Sequence, residues 1–400
     1  MALVDPTRIR GYRWILLSAL MLCGWAINWY SLSMGILLPR ISDDLGLRPA
    51  QEGWLGSAFF LGGFVATIPM SSFASRVAPA KLMTVMFTLA AGLIFLSSRI
   101  ESYVALLGIR LLVSILYTAT NPARALITSA WFEPSEFAAA NGAANSTFGI
   151  MQSTALWATG PLVALFGGWQ EMYVFFAILA AIAAGIWTVG ARDHVVAKRD
   201  EATASPTPTG SPFAVAKRPQ VWYAGMIAFG AGLIWASFVT FWPTYAQDAL
   251  GFSEGQAGFV FGFASIGVVP ASLLSPLLLR RIGRRVPVII GAALLQLPAY
   301  GLMLVVEPLP ALVVIAVIQG FTWLYFPILL TSAYHLPRIT PREIAVATGF
   351  IVVINSAGVT TGPTLVGLLS EFIPLRAALS VVLAGPLLAI AGALLLGEIE

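Results

Sequence analysis

Arg110, Ser114, Tyr117, Asn121 and Arg124 follow one another at intervals of 4, 3, 4 and 3 residues. That spacing puts all five on one face of an α-helix. Leu111, Leu112, Ile115 and Leu116 cover its other sides. A guanidinium there presents a rigid fork of N–H donors that matches a carboxylate, and the hydroxyls and the amide add neutral hydrogen bonds beside it. Polar stripes recur elsewhere. Gly24, Asn28, Ser31 and Gly35 repeat the 4, 3, 4 spacing, with Trp25 and Trp29 alongside. Gln319, Trp323 and Phe326 form a third stripe, Ser237, Phe241 and Thr244 a weaker fourth, and Asn141, Asn145 and Gln152 a fifth.

Bond-making chemistry finds few residues here. The chain has 18 acids, 2 histidines and a single cysteine, Cys23. No cluster of His, Asp and Glu lies inside an apolar run to supply a base, an acid or metal ligands, so the reading is not an enzyme, with no catalytic residue, cofactor or metal. One cysteine excludes an internal disulfide and a cysteine-held metal.

The elements that carry these stripes are long and apolar. Of 400 residues, 58% are hydrophobic and 10% charged, against roughly 25% charged in soluble domains. Runs of the roughly 20 residues that a membrane span needs fall at 14–38, 53–73, 82–96, 103–127, 137–166 and 172–190. They resume at 221–245, 258–279, 286–306, 309–336, 344–369 and 377–396. The reading is an all-α integral membrane protein with twelve transmembrane helices. The first run follows Arg8, Arg10 and Arg13 but lacks a small-residue cleavage site, so it reads as a span and not a signal peptide.

The net charge of +4 is explained by position, not by nucleic acid. Sixteen Lys and Arg fall in the N-terminal segment and alternate loops, the central segment among them, and four (Arg40, Arg48, Arg99, Arg376) in the others. By the positive-inside rule both termini are expected in the cytoplasm. All eighteen acids are at span ends or in loops. Arg110 alone is clearly deep, eight residues into the fourth span, about 12 Å at 1.5 Å per residue. An ionisable group at that depth is a functional candidate by default. The alternatives stay open: small and polar stripes also pack helices, and a deep arginine can bond backbone carbonyls. Arg124 reads as structural, in reach of Glu133 or Glu136, and His194 and His335 as solvated.

The chain also repeats itself. LGLRPAQEGWLGSAFFLGG from Leu45 matches LGFSEGQAGFVFGFASIG from Leu250, and ATGPLVALF from Ala158 matches TTGPTLVGL from Thr360. The expected units are two pseudo-symmetric six-helix halves, 1–190 and 221–400, joined by a flexible linker at 191–220 whose charges and Pro/Thr/Ser centre cannot fold alone. Thr207 and Thr209 are its candidate modification sites.

With these landmarks the chain resembles the major facilitator superfamily over essentially its whole length. That family's inner loop reads Gly-x-x-x-Asp-Arg-x-Gly-Arg-Arg. The second copy here is Pro276-Leu-Leu-Leu-Arg280-Arg281-Ile-Gly283-Arg284-Arg285; the first keeps Arg76 and Lys81 but has Ser75 in place of the Asp. The resemblance implies a cytoplasmic gate of Arg76, Lys81, Arg281, Gly283, Arg284 and Arg285. It also implies alternating access to a pathway lined by spans one, four, seven and ten. On those spans the expected substrate contacts are Arg110, Tyr117, Asn28, Trp29, Ser114, Asn121, Gln319, Trp323 and Ser237. Organic-anion members often carry a Glu seven residues after the arginine, where this chain has Tyr117. One deep arginine and no deep acid favour a small organic anion, monocarboxylate-like or an amphipathic acid. The alternatives are export of neutral or lipophilic compounds, a membrane enzyme, or a non-transporting receptor. The expected partners are a small-molecule substrate and the lipid bilayer, with no nucleic acid, for a monomer in the inner membrane.

Overall fold

The computed structural model describes residues 6–74, 77–133, 136–191, 217–332 and 341–397. Arg76, His194, Thr207, Thr209, His335 and most of the expected linker lie outside these residues, as do the side chains of Asn121, Asn141 and Asn145. Every regular element among them is helical. In chain order these are α1 (Pro6–Leu32), α2 (Met34–Leu45), α3 (Pro49–Ala74), α4 (Pro79–Ser97), α5 (Tyr103–Thr118), α6 (Thr120–Trp131), α7 (Phe137–Phe166) and α8 (Trp169–Gly190). The second series is α9 (Pro219–Leu250), α10 (Glu254–Ile282), α11 (Arg285–Leu302), α12 (Leu309–Phe321), α13 (Tyr325–Thr331), α14 (Pro341–Ser370), α15 (Leu375–Val381) and α16 (Ala384–Leu396).

Among the described residues, ten helical stretches are long and apolar enough to cross a membrane. The 26-residue α3 and the 30-residue α7 complete twelve spans. Four spans are each built of two helices: α1 with α2, α5 with α6, α12 with α13 through a 3-10 turn at Thr322–Leu324, and α15 with α16. The ends follow from residue chemistry. Proline opens α4 and α9, where its missing N–H is no loss. Glycines at φ 60°, 95°, 67° and 70° (Gly46, Gly167, Gly251, Gly283) close α2, α7, α9 and α10, a conformation that only glycine adopts freely.

The outer surface is apolar: Val189, Leu165 and Val104 are 85%, 75% and 72% exposed, a surface that only lipid covers without penalty. Inside, buried tryptophans pin neighbouring spans by their indole N–H groups. Trp187 donates to the Ala80 carbonyl at 3.1 Å, Trp242 to Met303 at 2.9 Å and Trp169 to Asp44 at 2.6 Å, which leaves no buried indole donor unpaired at these positions.

The twelve spans form two sets of six, and the seam between the sets has a direction. We call the end that holds the start of α1 the near end and the opposite one the far end. Toward the far end the sets touch backbone to backbone. A Cβ added at Gly53 would lie 2.6 Å from the Pro363 carbonyl, and one at Gly160 would lie 2.5 Å from the Gly255 Cα. Ser57 ties the two sets, donating to the Thr360 carbonyl at 2.7 Å and accepting from the Thr364 N–H at 3.1 Å. Arg40 at the end of the first span forms a two-pronged ion pair with Glu254 at the start of the eighth. Phe60 against Trp235, with ring centroids 5.7 Å apart, lies farther in.

Candidate functional site

The stripe on α5 meets α3 in register. Arg110 Nε donates to the Leu55 carbonyl at 3.1 Å, and one turn on the Ser114 hydroxyl donates to the Phe59 carbonyl. Two side chains four residues apart thus bond two carbonyls four residues apart on the facing helix. Such close approach needs small residues on α3: a Cβ at Gly62 would come within 2.8 Å of the Ser114 Cβ. Tyr117 continues the line, its ring 5.8 Å from that of Phe59 and its hydroxyl accepting from the Asn28 amide on α1. Asn28 also donates to the Gly24 carbonyl at 2.9 Å.

Arg110 is 1% exposed, its guanidinium 5.1 Å from the centre of the Tyr30 ring. Tyr30 packs edge-on against Tyr173 of α8 at 5.0 Å and its hydroxyl lies 3.2 Å from Ser97 of α4. The charge therefore sits among α1, α3 and α5, with the hydroxyls of Tyr30 and of Tyr173 on α8 beside it. Among the described residues three ion pairs form, Arg13–Glu136, Arg40–Glu254 and Arg218–Glu343; none includes Arg110. Its Nη1 has no hydrogen-bond partner. Arg124, expected in reach of Glu133 or Glu136, is in none of these pairs, and Arg13 holds Glu136 with both of its terminal nitrogens.

The other expected contacts are not gathered round Arg110. Trp29, 5% exposed, donates to Thr159 at 2.9 Å and packs against Phe175 and Phe176, so it joins α1 to α7 and α8. Ser237 is fully buried and bonds the Leu233 carbonyl of its own helix at 2.7 Å. Gln319 and Trp323 lie at the 3-10 turn of the tenth span, Gln319 buried and Trp323 half-buried, its ring 5.9 Å from that of Phe326. A groove of about 410 Å³ opens between α1 and α7, lined by Trp14, Ser18, Met21, Trp25, Met151 and Thr154 among others.

At the near end, Lys81, Arg281 and Arg284 are exposed, and Arg285 reaches the Thr331 carbonyl at 3.4 Å. Gly283 closes α10 with its N–H on the Leu279 carbonyl at 2.8 Å, and Arg280 and Arg281 occupy the last turn, where positive charge complements the helix dipole. At the far rim, in the first turn of α3, Glu52 accepts from Ser42 at 2.5 Å. Burial raises its carboxyl above the usual range, against the Ser42 bond, and the charges of Asp248 and Asp43 raise it further.

The sequence missed the main-chain acceptors Leu55 and Phe59, which carry no side-chain signal. It also missed Tyr30 and Tyr173, whose place beside Arg110 depends on tertiary packing, and the Arg40–Glu254 pair, which joins residues more than 200 positions apart.

Comparison with known proteins places this geometry. The computed structure matches a crystal structure of a bacterial homologue of the human lysosomal transporter Spinster, inward-facing and unoccupied, with a TM-score of 0.79 at 17% identity over 96% of this chain and 97% of that one. A crystal structure of the nucleoside transporter NupG matches with a TM-score of 0.76 at 15% identity over 95% and 98%. In sequence, the probable galactarate/D-glucarate transporter GudP of Escherichia coli K12 is 24% identical over 305 residues, 66% of this chain and 66% of that protein. The hexuronate transporter of Bacillus subtilis 168 is 24% identical over 274 residues, 63% of this chain and 62% of that one. These matches span just under two thirds of the relatives' lengths. The model of the Major Facilitator Superfamily matches residues 15–338 and 250–399. Twelve spans in two sets of six, neighbours of that fold and a family match running the length of the chain lead to one assignment: this chain belongs to the major facilitator superfamily, and the relatives it matches are transporters.

Proposed function

We propose that the protein moves a small organic anion, a monocarboxylate or an amphipathic acid, by alternating access, with Arg110 receiving the negative charge. One observation carries this reading: a guanidinium 1% exposed, with Nη1 unbonded and no carboxylate paired to it among the described residues. A buried charge without a counter-ion is costly, and an anionic ligand supplies the counter-ion. The relatives are named as galactarate, glucarate and hexuronate transporters, all of them carriers of acids, which supports the class.

In this proposal the near end faces the cytoplasm of an inner-membrane protein, in keeping with the excess of basic residues there, and the far-end seam is the closed outer gate. The halves are 1–190 and 221–400 with a flexible linker at 191–220, and the transporter acts as a monomer. Asn28, Ser114, Tyr117 and Asn121 join Arg110 in the N-terminal half, with Trp29 behind them. Gln319, Trp323 and Ser237 complete the pathway from the other half. The outer seam must part before substrate reaches Arg110 from that side.

The test is a thermal-shift screen of purified protein against carboxylates, sugars and hydrophobic compounds, followed by uptake into liposomes. A charged hydrogen bond is worth about 1.5–3 kcal/mol, so Arg110→Ala should weaken anion binding about 10- to 150-fold. Arg110→Lys should impair it as well, because the ammonium lacks the planar fork. A folded Arg110→Ala that keeps full uptake of an identified anion sinks the assignment. The groove beside Trp14 and Trp25 favours a second reading, export of a lipophilic compound, and stabilisation by uncharged hydrophobic ligands alone would select it.

A further inference from the structure

The groove between α1 and α7 is a slot pinned at both ends. Toward the far end Trp29 donates to Thr159 at 2.9 Å, and one turn nearer Trp25 donates to Thr154 at 3.3 Å. At the near end Arg13 holds Glu136, the N-cap residue of α7, with both terminal nitrogens. Between these points the two helices stand apart. The space of about 410 Å³ falls among small-molecule sites, which run to roughly 300–1,000 Å³.

The internal repeat shows that this gap is particular to the first set of spans. The match of Leu45 with Leu250 pairs Arg13 with Arg218. Arg218 likewise holds the acid at the start of the eleventh span, Glu343, at 3.2 Å. The same match pairs Trp25 with Gly230. In the second set the corresponding helices, α9 and α14, meet main chain to main chain. A Cβ on Gly232 would lie 2.5 Å from the Asn355 carbonyl oxygen, and one on Gly358 2.2 Å from that of Phe229. None of the described glycines on α1 and α7 meets the other helix. Trp14, Met21, Trp25 and Met151 line an opening there instead.

The opening faces the other set of spans and not lipid. On the lipid side, α8 exposes Ile178, Ile182 and Ile186. It lies behind α1, where the Cys23 thiol donates to the Ala183 carbonyl at 3.2 Å. Trp14, Ser18, Met21 and Trp25 follow at intervals of 4, 3 and 4 on the side of α1 opposite Cys23. Asn28 is next on that face and bonds Tyr117, so the groove runs into the polar stripe. None of its lining residues is charged. The Thr154 hydroxyl is engaged, accepting from Trp25 and donating to the Met151 carbonyl at 3.0 Å. Ser18 brings the only other hydroxyl of the lining.

We propose that this groove receives the apolar body of the transported acid, an inference that rests on the anion reading. The carboxylate points along the stripe toward Arg110, and an alkyl chain or ring lies between the indole faces and the thioethers, which adapt to its shape. The substrate is then an alkyl or arylalkyl carboxylate. A sugar acid would bury hydroxyls here without partners, at a cost.

The experiment is a thermal-shift titration of the full-length purified protein with the straight-chain acids from propanoate to hexanoate, their amides, and glucuronate. The half-saturating concentration should fall about fourfold for each added methylene, and glucuronate should bind no better than propanoate. Ser18→Phe fills the groove from an exposed position and should flatten the dependence on chain length. If it does not fold, Ser18→Leu carries the same test. Arg110→Lys should weaken every acid alike. No dependence on chain length in the wild type, an equal dependence in the Ser18 variant, or glucuronate binding more tightly than hexanoate would overturn the groove assignment and leave the anion reading standing. Amides that bind as tightly as the acids would overturn the anion reading, and with it the carboxylate's part in this proposal.

Discussion

A single carboxyl at the far rim shows how one residue can tie closure to pH. Glu52 is half-buried beside Ser42 and faces Asp43 of its own half and Asp248 of the other. Its raised pKa belongs to the closed seam. When the halves part, burial and the Asp248 charge fall away and the carboxyl returns toward its ordinary range near 4.3. The closed form therefore holds its proton to higher pH than the open form. Lowering the pH favours closure, and raising it through the shifted pKa penalises closure. Distances between spin labels on the far-end tips of α2 and α10 should shorten from pH 8 to pH 5 in the wild type, and shorten less in Glu52→Gln, where Asp248, also raised by burial and by Asp43, is the remaining shifted acid. An equal pH response in the variant would remove Glu52 from the account. Within the spans, the hydrogen-bonded pair where a proton carrier would be sought is neutral, Asn28 with Tyr117. Accumulation driven by protons and lost on neutralising one carboxylate would contradict that reading.

At the scale of the helix, the near-end loops divide the labour unequally. The turn between α10 and α11 keeps the family's glycine at left-handed φ and four arginines, two of them in the last turn of α10. Its counterpart in the first half has Ser75 where the family has an acid. Neutralising Arg281 and Arg284 together should shift the conformational balance more than Arg76→Ala, measured as distances between near-end labels; the reverse ranking would refute it. The spans themselves were legible in the sequence because an apolar run of that length has no other stable home. The breaks were legible only in part. The first span parts at Ser33, where neither proline nor glycine stands; the fourth parts at Ala119, where Pro122 has no N–H for the Thr118 carbonyl, a signal the sequence did carry. The stripe Arg110–Ser114–Tyr117 was legible as one face, since periodicity fixes which residues share a side. What that face meets, the carbonyls of Leu55 and Phe59, is decided by the packing of α3 against α5 and leaves no trace in the spacing.

For the whole molecule, two of the contacts that close the far end are unlike in strength. The Arg40–Glu254 pair is partly exposed, with Arg40 side-chain accessibility of 39%, and such pairs contribute about 0.2–1 kcal/mol. Arg40→Gln should therefore change the closed fraction by no more than about fivefold, and high salt should mimic it. The glycine contacts carry more. Gly160→Leu sets side-chain carbons into the backbone of Gly255 and should open the far end almost completely, read as a long distance between far-end labels with the variant still folded. A closed Gly160→Leu would show that the seam tolerates bulk.

The same seam bears on how fast the carrier cycles. Where two helix bundles interlock through branched side chains, separation requires rotamers to withdraw one after another, and each withdrawal adds to the activation barrier. Here Gly53 and Gly160 lay main chain against main chain, with no side chain of their own to disengage, so at these two points the halves part without a rotamer change. A methyl group at either position should therefore slow opening and reclosing as well as shift the balance between the two.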